Sequence, residues 1–189
     1  MKRLIPLLLV LMLLTSCAVA EDPAVTAVPE TAAAVTPMPT TPPNAAGMPY
    51  VLDDYPYAPV QFSEWKGTPT YLNFFTTWCT YCRQEMQDLK ELQAEYGDSL
   101  RVILVHVPSG EDEATARAYL EKEGLADMNF VADNGFISYL YGVNGFPTSV
   151  IIDEEGYLFA YYSGLISADT MRQAVEAVGA VPVEDADAL

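Results

Sequence analysis

Two cysteines stand at C-x-x-C spacing in Trp78-Cys79-Thr80-Tyr81-Cys82. A strand-like run, Thr70 to Phe75, leads into them, and a helix-like run, Arg83 to Tyr96, leads out. Thiols at this spacing on a strand-to-helix junction read as a dithiol/disulfide couple. Cys79 precedes the helix, where unpaired N–H groups and the helix dipole favour a thiolate, so it is the expected exposed nucleophile. Cys82, one turn on and more buried, is the expected resolving thiol. The bland alternative is a structural disulfide, but a loop this short adds little chain-entropy stabilisation. Glu85 follows Cys82 by almost one turn. If it faces the dithiol in a partly buried site, its pKa rises and it exchanges a proton with Cys82. If it is solvated, it is a surface Glu beside Gln84 and Gln87. His106, the single histidine, would complete a soft copper or zinc set with Cys79 and Cys82, although no fourth ligand is evident.

The elements that must position these groups follow from local patterning. Pro59 to Phe62 reads as a first strand, and Trp65-Lys66-Gly67 as a turn after a short helical piece. Tyr50, Tyr55 and Tyr57 are expected packing residues. Tyr71 to Phe75 is apolar on both faces, as a strand buried in a parallel sheet should be. Met86, Leu89, Leu92 and Tyr96 form a helical stripe that stops at Gly97. Arg101 to Val105 is a second continuous strand. Ser109 is the expected N-cap of a helix running to Glu123, with Asp112 three residues on. Asn129 to Ala132 is a short strand, Phe136 to Tyr141 a short helix, and Thr148 to Ile152 a strand. A turn over Asp153 to Gly156 sends Tyr157 to Tyr162 back antiparallel. Ser167 caps a last helix that buries Met171, Ala174, Val175 and Val178 and stops at Gly179. The order describes an α/β sandwich around a mixed sheet.

Composition narrows the partners. The formal net charge is −17, so no basic face is available for nucleic acid, and anionic headgroups are repelled. Membrane attachment therefore needs an anchor. Lys2-Arg3 followed by Leu4 to Leu14 has the layout of a signal peptide, too short for a comfortable span. Leu14-Thr15-Ser16-Cys17 resembles the lipobox of bacterial lipoproteins, which implies lipidation of Cys17. The alternative is a plain secretion signal cleaved near Ala18 or Ala20. Either places the protein outside the cytoplasm, where disulfides persist. Residues 18–46, rich in Ala, Thr and Pro, bury no core and read as a disordered tether with a reach of up to ~90 Å at about 3.1 Å per residue.

The order of elements, with C-x-x-C opening the first main helix and Gly145-Phe146-Pro147-Thr148 before the hairpin, resembles the thioredoxin fold. More closely it is similar to the TlpA/ResA-type branch of extracytoplasmic, membrane-tethered thioredoxin-like proteins. Asn73-Phe74-Phe75-Thr76-Thr77-Trp78-Cys79, Glu85 three residues after the second Cys, the helix after Ser109, and Tyr141-Gly142-Val143-Asn144-Gly145-Phe146-Pro147-Thr148 carry that likeness. The resemblance implies a thioredoxin-like fold with a central mixed sheet flanked by helices and an inserted helix after the second main strand. The implied layout is a lipoprotein signal peptide at 1–16, lipidated Cys17 and tether at 17–46, a thioredoxin-like domain at 47–180 and an acidic tail at 181–189.

It further implies a thiol–disulfide oxidoreductase on the extracytoplasmic side of the cell membrane, needing no cofactor. Cys79, Cys82 and Glu85 would be catalytic. Trp78, Phe146 and a cis Pro147 would meet the partner, with simple core packing as the alternative for Trp78 and an ordinary pre-strand proline as that for Pro147. Implied partners are extracytoplasmic protein disulfides, such as those of apocytochrome c or methionine sulfoxide reductase, and an integral membrane electron donor. Two departures stand out. The Thr80-Tyr81 spacer lacks the proline common before the second Cys, so reduction potential does not carry over. Asn73 replaces the buried Asp of cytoplasmic thioredoxins and cannot act as a base, which leaves Glu85 as the better candidate. Other readings are the copper or zinc chaperone and a redox-inactive adaptor for extended peptides.

Overall fold

The computed structural model describes residues 54–186. Within them five strands form one sheet: β1 Thr70–Phe75, β2 Arg101–His106, β3 Asn129–Ala132, β4 Thr148–Ile152 and β5 Leu158–Ser163. The order is β3-β2-β1-β4-β5. β1 pairs parallel with β2, which pairs parallel with β3; β4 runs antiparallel to both β1 and β5. The helices are α1 Thr80–Tyr96, α2 Glu113–Lys122, α3 Phe136–Leu140, α4 Ala168–Glu176 and α5 Val183–Ala186.

β1 is buried along its whole length, as an apolar and aromatic run interrupted only by Asn73 requires of a central strand. Side chains alternate across the sheet. Tyr71 and Phe75 of β1, Val102 and Leu104 of β2, and Ile151 of β4 join the core under α1 and α4. Leu72, Phe74, Ile103, Val105, Val150 and Ile152 join a second core with Phe62, Trp65, Ile137 and Tyr141. On α1 the buried positions are Cys82, Glu85, Met86, Leu89, Leu92 and Tyr96, one stripe at helical spacing. Glu85 therefore lies in the apolar stripe itself.

Three local expectations change, and the tail adds one feature that the sequence did not suggest. Pro59–Phe62 is not a strand; a 3-10 turn, Phe62–Trp65, buries Phe62 and Trp65 three residues apart. Asp54 holds that turn by accepting from the Ser63 N–H at 2.9 Å and the Ser63 hydroxyl at 2.7 Å. α2 begins later than Ser109, because Gly110 takes a left-handed φ of 80° and interrupts the chain's approach. Asp112 is the N-cap, accepting from the Thr115 N–H at 2.9 Å. Tyr55 packs against Phe62 and Phe136, whereas Tyr57 is exposed. The tail contains a short helix, α5. It follows a tie at Val181, whose N–H donates to Ser99 Oγ and whose carbonyl accepts from it. The Ser167 cap and the Gly179 stop stand as expected. Residues 1–53, including Cys17, the tether and Tyr50, and residues 187–189 lie outside the described residues.

Leu89 is fully buried between α1 and the sheet. Leu89→Ala should lower the unfolding free energy of the oxidised protein by about 2–5 kcal/mol in denaturant titrations. A loss below about 1 kcal/mol would mean that α1 is not seated on the sheet this way.

Candidate active site

The strand pairing brings three chain segments to one end of the sheet. Phe75, the last residue of β1, is level with His106, the last of β2. Phe74 is level with Thr148, the first residue of β4. The loop after β1 therefore sits between the start of the β2–α2 connection and the Phe146–Pro147 turn. That loop holds Thr76 to Cys79.

Cys79 and Cys82 form a disulfide with Cα atoms 5.3 Å apart. Cys79 is the N-cap of α1, and its sulfur accepts from the Cys82 N–H at 3.1 Å. The same bond would stabilise a Cys79 thiolate in the reduced state. The Cys79 N–H donates to the Thr76 carbonyl at 3.3 Å, and its carbonyl receives the first α1 bond, from Arg83, at 3.2 Å. Cys79 is 6% exposed and Cys82 is 0%. The ranking of the two sulfurs is as expected, but Cys79 is far less open than an exposed nucleophile and belongs to the buried core cluster under α1.

Glu85 is fully buried on the face of α1 that carries Cys82. Its carboxylate accepts from the Ile166 N–H at 2.7 Å on Oε1 and from Asn73 Nδ2 at 3.1 Å on Oε2. Asn73 Nδ2 also lies 3.3 Å from Ser149 Oγ, which accepts from the Tyr71 hydroxyl at 2.8 Å. Burial pushes the Glu85 carboxyl up to about 7, against the two hydrogen bonds that favour its charge; the Asp88 charge adds to the rise. Burial also holds the Tyr71 hydroxyl well above its ordinary value. Asn73 acts as a donor to Glu85, not as a base. The solvated-surface alternative for Glu85 does not hold.

Trp78 is 55% exposed, so core packing does not account for it. Its ring meets Phe146 edge-on with centroids 5.9 Å apart, and its Nε1 donates to the Ser109 carbonyl at 2.8 Å. The Phe146–Pro147 bond is cis. His106 is 1% exposed and does not join the sulfurs in a metal set. Its Nε2 lies 3.1 Å from Glu111 Oε1, and its ring stands near those of Phe75 and Phe130. Among the described residues, no group of three or more His, Cys, Asp or Glu is placed to hold a metal ion.

Sequence reasoning missed Ser149, Tyr71 and Glu111. Strand alternation was the available signal for the first two, since it puts them on Asn73's side of the sheet. Glu111 carried no signal, because nothing in an acidic loop marks one carboxylate as the inward one.

Folding raises the affinity of Glu85 for its proton. Its contribution is fully present below its ordinary value of 4.5 and is lost as pH rises through about 7. In Glu85→Gln that loss disappears. The stability of the oxidised variant relative to wild type should rise between pH 5 and pH 8 by up to roughly 3 kcal/mol, whatever the offset between them. A difference that stays flat with pH would show a carboxyl that titrates normally.

Comparison with known proteins gives the same picture. The thioredoxin-like protein YneN of Bacillus subtilis (strain 168) is 36% identical over 112 residues, covering 59% of this chain and 65% of YneN. This chain thus spans just under two thirds of YneN's length. The thiol-disulfide oxidoreductase ResA of Halalkalibacterium halodurans is 27% identical over 130 residues, 68% of this chain and 73% of ResA. The crystal structure of the exposed lipoprotein thioredoxin Etrx1 from Streptococcus pneumoniae strain TIGR4 superposes with a TM-score of 0.57 at 28% identity, over 61% of this chain and 88% of Etrx1. A family model described as a thioredoxin-like domain matches residues 63–179, a span that takes in all five strands, the disulfide and the cis proline, and the chain belongs to that family.

Proposed function

We propose that this protein is an extracytoplasmic thiol–disulfide oxidoreductase, tethered to the membrane through lipidated Cys17, that reduces disulfides of partner proteins. The observation that carries the reading is the Cys79–Cys82 disulfide at the N-terminus of α1 with the Glu85 carboxyl buried on the same helix face. The likeness to ResA, a thiol-disulfide oxidoreductase, supports the activity, and the likeness to Etrx1, an exposed lipoprotein thioredoxin, supports the anchor. Among the described residues no helix is long and apolar enough to cross a membrane; the attachment assigned here is a lipid on Cys17, at the end of the lipobox-like Leu14-Thr15-Ser16-Cys17.

In the reduced protein the Cys79 thiolate attacks one sulfur of the partner's disulfide. A mixed disulfide forms and one partner thiolate leaves. Glu85 takes the Cys82 proton, and the Cys82 thiolate attacks the Cys79 sulfur. The Cys79–Cys82 disulfide forms and the second partner thiolate leaves. Two electrons have passed to the partner, and a membrane electron donor must return them. Trp78, Phe146 and Pro147 form the docking face, where an extended partner segment pairs with backbone beside the disulfide. The partners are extracytoplasmic protein disulfides, with apocytochrome c and methionine sulfoxide reductases as the leading classes.

Redox titration of the purified, metal-free protein should show a reversible two-electron couple that disappears in Cys79→Ser, with a potential more negative than about −220 mV. A potential near −120 mV, in the range of strong periplasmic oxidants, would reverse the direction. Tight metal binding dependent on His106 would replace the reading with metal carriage. In stopped-flow measurements, release of the partner from the mixed disulfide should accelerate as pH rises through about 7, and Glu85→Gln should remove that inflection. The same inflection in the variant would exclude Glu85 as the proton acceptor.

A further inference from the structure

The connection between β2 and α2 reaches back over the residues in front of Cys79. Glu111 lies in that connection, and its side chain is 8% exposed. Its Oε1 accepts from the Thr77 backbone N–H at 2.6 Å and lies 3.1 Å from His106 Nε2. Its Oε2 accepts from the Thr77 hydroxyl. A carboxylate has only acceptors, so it takes both Thr77 donors at once, and its contact with His106 is a third hydrogen bond in the tautomer that carries the proton on Nε2. Two residues earlier, the Ser109 carbonyl accepts the Trp78 indole N–H at 2.8 Å. The two residues that precede the nucleophile are thus both tied to one connection. Thr76, just ahead of them, offers no such tie, since its buried hydroxyl has no partner.

We propose that Glu111 is a positioning residue for disulfide exchange, fixing Thr77 and thereby holding Trp78 against Phe146 as the wall that receives a partner polypeptide. The inference rests on the exchange activity proposed above. Glu111 acts through Thr77 and Trp78 rather than on a sulfur. Trp78 is half-exposed, so its place depends on these ties and on one edge-on contact instead of on an enclosing core. A small disulfide needs only access to Cys79. A protein disulfide must also settle against the wall, so the clamp should matter for one substrate and not for the other.

The test uses the full chain purified in detergent, as wild type, Glu111→Ala and Glu111→Gln. Steady-state reduction of insulin is compared with reduction of glutathione disulfide, and exchange of the Trp78 indole N–H is followed by NMR, with buried Trp65 as the internal reference. Glu111→Ala should raise KM for insulin about tenfold, the scale of one lost charge-assisted hydrogen bond, with kcat within about twofold. Its rate with glutathione disulfide should stay at the wild-type level, and Trp78 indole exchange should accelerate. Glu111→Gln, which keeps one acceptor oxygen, should recover part of both effects. Equal losses on insulin and glutathione disulfide, or wild-type KM and indole exchange in Glu111→Ala, would overturn the proposal. A wild-type protein inactive on both disulfides would instead remove the exchange reading, while indole exchange would still report on the clamp.

Discussion

β1 has a neighbour on each edge, and that double pairing decides what can stand beside the disulfide. Because β2 is parallel to β1, both strands end at the same edge of the sheet, with Phe75 level with His106. Because β4 is antiparallel, it starts there, with Thr148 level with Phe74. The loop that carries Cys79 is therefore flanked by the chain leaving β2 and the chain entering β4. One supplies Ser109 and Glu111 and the other Phe146 and Pro147. A one-residue slip in the β1–β4 register would move Asn73 and Ser149 to opposite faces and dismantle the polar chain beneath α1.

That polar chain is the second constraint. Tyr71, Ser149 and Asn73 from the sheet, Glu85 from α1 and the Ile166 N–H form a connected set in an otherwise apolar layer. A buried carboxylate is tolerated only where donors replace water. Here two donors do so, but not fully, and the Glu85 carboxyl is displaced upward to about 7 as a result. Burial thus makes a carboxyl able to change protonation near neutral pH, while the hydrogen bonds hold it in place on the Cys82 face of the helix. The arrangement answers the substitution at position 73: an amide there cannot carry a proton to and fro, but it can orient the carboxyl that the proposed mechanism gives that task.

On the opposite flank, the ties to Thr77 and Trp78 have a different character. They come from a surface connection, and they act on the approach to the sulfur rather than on its proton. In the proposed reaction, reactivity and docking are consequently held by separate parts of the fold, one under α1 and one at the β2–α2 connection. Arg117 of α2 stacks on Phe130 with 4.5 Å from guanidinium to ring centroid. Phe130 stands in turn beside the His106 ring, which links the inserted helix to the residue that contacts Glu111.

Much of this was legible in the chain itself. The thiol pair, the apolar runs of β1, β2 and β4, the stripe Met86, Leu89, Leu92 and Tyr96, and the Ser167 cap all depend on spacing over a few residues, which a linear reading captures. The same holds for the Asp153 to Gly156 turn. The structure departs from these expectations where a contact beyond the local pattern, or one residue's backbone conformation, decides the outcome. Phe62 and Trp65 wind into a 3-10 turn because Asp54 holds Ser63, and nothing local separates that from a strand. Asp112, not Ser109, caps α2 because Gly110 turns the chain between them. The burial of Glu85, the isolation of His106 from the sulfurs and the grip of Glu111 on Thr77 were decided by tertiary structure alone. Each is a matter of which side chain a residue 12 to 81 positions away presents, or of which way a loop folds back. Composition and spacing select the reagents; only strand pairing and packing decide which of them face the disulfide.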